Sequence, residues 1–418
     1  MAFTFDDMKE KLKCGINYGN ALECFDDILG PRKIDIENEV TYPDGVYHQI
    51  KINCYDYRKI TDADELPELH SYYCPEALWG NPKTTTDIID FYKDLGFTAI
   101  RLPVNLAWYH APGSRETYSG YLKYIKSVVK MITDAGLFCV VTMFCEGYNT
   151  RLIKNPLSLY QGGAKNPNIQ LIVSHWTELS STLSDIPVEN LAYDLLNEFS
   201  IGARYGTDIA EASNIIAEIY RLCISAIRSN GGFEADRLIG IGGFRSDAEH
   251  TFNNIKCFED ILTDDKVFLS LAMYLDPGYT FCYKEIFSRP NGTMIVTDSD
   301  TTKAQEYING YIGLKKLGYN IIVSEYGATN VIECESVLDT ESARAYANNL
   351  FKLVAIERIW QHKLGAPGFY WDNGSLFDRL NLKVKIPYVM SLIKINTAEY
   401  TELYDVYKDY IVNIEGDE

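Results

Sequence analysis

Short apolar runs and amphipathic helical segments take turns along most of this chain, and that alternation limits the folds open to it. From about residue 83 onward the strand-like runs are Ala99–Val104, Cys139–Met143, Tyr193–Asn197, Leu238–Gly242, Val267–Tyr274, Ile321–Glu325 and Gly368–Trp371. A further run near Lys13–Asn17 makes eight. Between them lie helical patterns such as Thr85–Leu95, Tyr121–Ala135, Ile209–Ser229, Thr302–Leu317 and Ser342–His362. Gly96, Gly136 and Gly318 follow last helical turns, where glycine readily ends a helix. The strand runs read as buried on both faces, as parallel strands are. Such alternation builds right-handed βαβ units and one parallel sheet, closed or open. No glycine-rich phosphate-binding loop follows any strand, which weakens the open, nucleotide-binding alternative. At 418 residues the chain exceeds the usual single domain, but barrels with insertions reach this length. The expected fold is α/β: a (β/α)8 TIM barrel.

No repeat, low-complexity tract or linker divides the chain, so one catalytic domain over 1–418 is expected. The segment from about 26 to 73 differs: it is polar, rich in Tyr and Asp, with β-like stretches such as Tyr47–Cys54 around Pro43-Asp44-Gly45. It reads as an insertion after the first strand, packed over the barrel mouth or side. A final barrel helix is expected near Val384–Ile395, followed by a helix or appendage at Thr397–Asn413. Trp176 and Trp360 sit in helical patterns and read as core.

Hydrophobic residues make up 46% and charged residues 23%, enough apolar content for a large core. Against 58 Asp and Glu stand 39 Lys and Arg, a net −19 that disfavours nucleic acid and anionic membranes as partners. A neutral glycan is compatible with it. The 31 tyrosines suit stacking on sugar rings as well as packing. Ten cysteines lack CxxC pairs and metal-ligand spacing, so no metal and no cofactor are expected. Cys139, Cys145 and Cys223 read as small buried hydrophobes, which suits a reducing compartment. Met1-Ala2-Phe3-Thr4-Phe5-Asp6-Asp7 shows no signal peptide, leaving a cytoplasmic protein or a secreted one with its signal trimmed. No apolar run reaches membrane-spanning length.

Two glutamates stand out. Glu198 closes Tyr193-Asp194-Leu195-Leu196-Asn197-Glu198, and Glu325 closes Ile321-Ile322-Val323-Ser324-Glu325. An unpaired carboxylate is costly at the end of a buried strand. In one barrel both would meet at the C-terminal rim, where barrel enzymes keep their chemistry. Facing carboxylates are what cleavage of a glycosidic bond requires. The plainer reading is that each Glu caps a helix or pairs with an Arg.

Several segments resemble glycoside hydrolase family five, the cellulase family, and especially its endoglucanase and xyloglucanase subfamily. Cys14-Gly15-Ile16-Asn17-Tyr18-Gly19-Asn20-Ala21-Leu22-Glu23 resembles its first strand and loop. Glu76-Ala77-Leu78-Trp79-Gly80-Asn81-Pro82-Lys83-Thr84-Thr85 is similar to its approach to the first barrel helix. Gly96 to Val104 is similar to the second strand, Tyr193 to Glu198 to the acid/base strand, and Ile322 to Ala328 to the nucleophile strand. Phe369-Tyr370-Trp371-Asp372-Asn373-Gly374, with Leu376-Phe377-Asp378-Arg379, resembles the last strand and its loop. The matches lie in order along the chain outside the 26–73 insertion.

The resemblance implies a retaining hydrolase of β-1,4-linked glucan or oligosaccharide, with Glu198 as acid/base and Glu325 as nucleophile, their carboxyls roughly 5 Å apart. It further implies that Asn197 bonds the sugar 2-hydroxyl, Arg101 keeps the Glu325 pKa low, and Tyr274 donates to Glu325. Trp371 would form the platform beneath the reacting sugar, with Asn20 and Trp79 bordering the glycone side. Arg101 could instead be a structural ion pair, and Trp371 plain core.

The chain departs from the family at two points. Histidines normally follow the third strand, where this chain reads Thr142-Met143-Phe144-Cys145-Glu146. Another normally stands two residues before the strand-six tyrosine, where Ala272 stands here. Losing such groups costs on the order of tenfold to a few thousandfold in rate. His110 falls near a loop position where the subfamily often has a histidine close to the sugar, and His70 lies in the insertion. Surface or packing roles are the plainer readings of both. A degenerate relative that binds glycan with little turnover is therefore the alternative expectation, and a hydrolase of small oligosaccharides a third.

Overall fold

Eight parallel strands close in chain order into a single barrel, and each buries both faces. They are β1 Gly15–Tyr18, β2 Ala99–Val104, β3 Phe138–Phe144, β4 Leu191–Asn197, β5 Ile239–Ile241, β6 Val267–Met273, β7 Ile321–Tyr326 and β8 Gly368–Asp372. β8 pairs back onto β1, with Gly15 opposite Phe369 and Asn17 opposite Trp371. This computed structural model describes residues 2–24, 75–76, 81–109, 117, 119–144, 157–201, 208–275, 298–327, 353–374 and 376–394. The expected insertion at 26–73 and the stretch Thr397–Asn413 lie outside the described residues.

The two faces of the sheet feed two separate cores. Ala99, Val140, Ala192, Leu238, Phe268, Ile322 and Phe369 point inward and form one cluster. Their neighbours in sequence, such as Ile100, Val141, Tyr193, Ile239, Leu269, Val323 and Tyr370, point outward and pack under the helices. The period of two in a strand sends successive side chains to opposite faces, and both faces are apolar because helices cover the outside.

Helices Thr86–Asp94, Ser119–Asp134, Pro167–Leu183, Ile209–Ser229 and Asp298–Lys316, with 353–364, form the outer layer. Within that layer Trp176 is fully buried and Cys223 is a buried free thiol, as is Cys139 on β3. No helix among the described residues is long and apolar enough to cross a membrane.

Two elements differ from expectation. A short helix, Phe5–Lys11, precedes the barrel, started by a capping box in which Thr4 and Asp7 satisfy each other's backbone amides. Phe5, Met8 and Leu12 plug the inner cluster from below. Burying a Phe or Met side chain contributes on the order of 2 kcal/mol. At the other end, Lys383–Val384 pairs with Phe377–Asp378 in a small antiparallel ribbon, so the helix expected near Val384–Ile395 spans only Pro387–Ile393. Pro387 stands in its first turn, where a missing N–H costs nothing.

Candidate active site

The inward turn of the site residues depends on two one-residue irregularities. Between β3 and β4, Thr142 lies opposite Asp194 but Phe144 lies opposite Asn197, so β4 carries an extra residue. Leu195 and Leu196 consequently both join the outer core, while Asp194 and Asn197 both face inward. In β7 the same occurs: Leu271 faces Val323, but Ala272 faces Glu325. Without that shift Glu325 would share the outer face with Val323.

An irregularity leaves ladder groups unpaired, and side chains answer here. The Trp176 indole N–H donates to Leu195 O at 3.0 Å. Asn17 Nδ2 donates to Ser324 O at 2.8 Å and to Phe369 O at 3.0 Å.

Arg101, wholly buried, sits at the centre. Its Nε and Nη2 donate to Asp194 Oδ2 at 3.0 and 2.6 Å. Nη1 donates to Asn17 Oδ1 at 2.8 Å and to Glu325 Oε1 at 3.1 Å. Nη2 also meets Thr142 Oγ1 at 3.1 Å and Asn197 Oδ1 at 2.6 Å. That last bond turns the Asn197 amide so that its N–H₂ is the group left for a ligand. Tyr274, directly after β6, donates to Glu325 Oε2 at 3.0 Å. Both Glu325 oxygens are thus held.

The ends of β6 and β7 are tied from behind. Buried Glu357 accepts from Leu275 N–H at 3.4 Å and Gly327 N–H at 3.1 Å. The hydroxyls of Tyr307 and Tyr311 donate to Ala272 O, the latter at 2.7 Å.

The two carboxyls are both raised, with different neighbours acting on each. Burial pushes the Glu325 carboxyl above its ordinary value of 4.5, against the pull of Arg101 and Tyr274, and the Asp194 charge adds to the rise. Arg101 pulls in the expected direction, but burial of the carboxyl outweighs that pull, so Glu325 is not held low. Glu198 is pushed further, to about 8, by burial and then by the Glu325 charge; Arg101 and Arg245 oppose and Asp247 adds. Near neutrality Glu198 therefore carries a proton. Tyr274 is raised well above 10 by burial and the two glutamates, so it stays a donor.

Glu198 leaves the extended conformation with φ +46°, turning the chain directly after Asn197. Trp371 ends the opposite wall, part-exposed on β8. A Cβ on Gly19 would stand 2.6 Å from the Trp371 ring, so only glycine fits beneath it. Phe144 stacks on Trp371 with centroids 5.7 Å apart and planes at 17°. Asn20, at φ +51°, turns the loop after β1 and accepts from Asn81 Nδ2 through its carbonyl at 3.0 Å. Behind Trp371, Arg379 bonds Asp372 Oδ2 at 2.9 Å and Gly19 O at 2.8 Å, joining the ends of β8 and β1.

The structure therefore brings Arg101, Asn197, Tyr274 and Glu325 into direct contact and sets Glu198 within their field. Trp79, His70, His110, Cys145 and Glu146 lie outside the described residues. Sequence reasoning missed Asp194, Asn17 and Thr142. The signal for Asp194 was present: a buried aspartate in mid-strand needs a cation, and Arg101 was already in view.

A closed eight-stranded barrel with paired carboxylates at its C-terminal rim defines a class of barrel hydrolase sites. The description of the cellulase family, glycosyl hydrolase family 5, matches residues 61–376, and the chain belongs to that family. It is 24% identical over 262 residues to Endoglucanase 1 of Ruminococcus albus, covering 61% of this chain and 59% of that protein. It is 24% identical over 307 residues to Endoglucanase A of Clostridium longisporum, covering 71% and 53%. The chain thus spans little more than half the length of these curated relatives. Among solved structures, the GH5-4 broad specificity endoglucanase of Clostridium longisporum aligns with TM-score 0.67 at 18% identity, covering 96% of this chain and all of that one. A Bacteroides ovatus GH5 xyloglucanase in complex with a XXXG heptasaccharide aligns with TM-score 0.68 at 17% identity, covering 93% and 76%.

Proposed function

We propose that this protein is a retaining glycoside hydrolase of β-1,4-linked glucan. The observation that carries the reading is Glu325 held at both oxygens by Arg101 and Tyr274, with Glu198, its carboxyl raised by burial and by the Glu325 charge, in the same site. Glu325 attacks the anomeric carbon while Glu198 passes its proton to the leaving oxygen, so one C–O bond forms as another breaks. Asn197 donates to the sugar 2-hydroxyl as charge develops on the ring. Glu198, now a carboxylate, then takes a proton from water, whose oxygen displaces Glu325 with net retention. Trp371 supplies an apolar face for the reacting sugar. The names of the relatives and structural neighbours, endoglucanases and a xyloglucanase, support a β-glucan as the substrate class.

A second reading, glycan binding with little turnover, is favoured by Phe144 and Ala272. They put an aromatic ring and a methyl where family members carry imidazoles. Assays on barley β-glucan, carboxymethylcellulose, xyloglucan and mannan, with Glu325→Ala as control, separate the two. Wild-type turnover on the order of a thousandfold or more above the variant is expected, the scale on which losing a nucleophile acts. Equal rates on every substrate would leave only the binding reading.

A further inference from the structure

Among the described residues, five that are not glycine take a positive φ, and three of them meet at one place: Glu198 at +46°, Arg245 at +61° and Ser246 at +50°. Left-handed backbone is disfavoured for side chains with a Cβ, and such residues persist where their surroundings hold them. Here the surroundings are each other. The Glu198 amide donates to Ser246 Oγ at 3.2 Å, and the Arg245 amide donates to Phe199 O at 3.0 Å. The segment Glu198–Phe199 is therefore gripped at both ends by two adjacent residues of the loop after β5.

That loop is built to present the hydroxyl. Ser246 is buried, and its own N–H donates to Gly243 O at 2.9 Å. A Cβ on Gly242 would stand 2.6 Å from Ser246 Oγ and 2.9 Å from Ser270 O, so the serine needs glycine at that position. The Gly243 amide donates to Thr251 Oγ1 at 3.1 Å, and Asp247 caps the helix Ala248–Asn253 by accepting from the His250 amide at 2.8 Å. The grip on Glu198 thus leads back to a fixed helix.

We propose that Ser246 is a positioning residue for the acid/base: the left-handed Arg245–Ser246 turn fixes the Glu198 backbone and so aims its carboxyl at the scissile oxygen. This rests on the hydrolase reading above. Aim matters only where a proton must be delivered. A 2,4-dinitrophenolate leaves without protonation, whereas an ordinary phenolate or sugar oxygen needs the acid.

The test compares kcat/KM, which reports formation of the glycosyl-enzyme, on 2,4-dinitrophenyl and phenyl β-cellobioside. Ser246→Ala and Ser246→Gly should each lose about tenfold or more on the phenyl glycoside and less than about threefold on the dinitrophenyl one. Ser246→Gly takes φ +50° without strain, so it answers even if the alanine variant folds poorly. Equal losses on both substrates, or no loss on either, overturn the positioning role and leave the hydrolase intact. A wild type no faster than Glu325→Ala on the dinitrophenyl glycoside overturns both.

Discussion

Arg101 divides one positive charge between Asp194, which it meets through two nitrogens, and Glu325, which it meets through one. Burial raises Glu325 above the ordinary carboxylate value against the pull of its bond to the guanidinium, while Glu198, without such a bond, is raised to about 8 by burial and by the Glu325 charge. Both shifts have the sign that burial gives to an acid. The consequence is a working window in which the pair holds a single proton. On the acid side, kcat/KM rises as Glu325 ionises, with its midpoint above 4.5. On the alkaline side it falls as Glu198 loses its proton, with a midpoint near 8, and both midpoints belong to the pair. A pH profile on a soluble β-glucan checks this. An alkaline midpoint below about 6, in the range of a weakly perturbed carboxyl, would contradict the assignment of the raised carboxyl to Glu198.

At the scale of elements, the site is delivered by irregular strands and not by regular ones. In β4 the extra residue makes Leu195 and Leu196 share the outer face, and Trp176 satisfies the carbonyl that the irregularity exposes. Trp176→Phe keeps most of the apolar packing but leaves Leu195 O without that donor. It should cost about 1–3 kcal/mol in urea denaturation, the penalty of an unsatisfied buried group, and slow catalysis through Asn197 and Glu198. A variant as stable and as fast as wild type would show that the indole only fills space.

The strands themselves were legible from sequence because buried parallel strands are short, continuous and apolar; the strand Ala99–Val104 and the helix Ile209–Ser229 were both read to the residue. The irregularities were not legible. One added residue changes neither composition nor the apolar run, and only pairing reveals it. Asp194 was passed over for the same reason, since strict alternation from Asp194 would turn Asn197 outward. The helix Phe5–Lys11 was missed because its seven residues are too few for a periodic signal. The left-handed turn at Arg245–Ser246 has no glycine at either position to announce it.

Taken whole, the molecule is a barrel sealed below by Phe5, Met8 and Leu12 and lined above by a polar layer centred on Arg101. The lower layer gives rigidity, and in the upper layer buried charge is tolerated because Asp194 and Glu325 both meet the Arg101 guanidinium. The resemblance to the family accounts for Glu325 with Arg101 and Tyr274 beside it. It does not account for Phe144 on Trp371 or Ala272 beside Glu325, which make the proposed sugar site more apolar than the family pattern.

The central claim, that Glu325 forms a covalent bond to sugar, is tested most directly by trapping. A 2-deoxy-2-fluoro-β-cellobioside with a dinitrophenyl leaving group slows both steps but lets the first proceed, so the glycosyl-enzyme accumulates. Intact-mass and peptide measurements should find one fluorocellobiosyl group per chain, carried by the peptide containing Glu325 and missing from Glu325→Ala. An unlabelled protein, or a label on any other residue, would contradict the account.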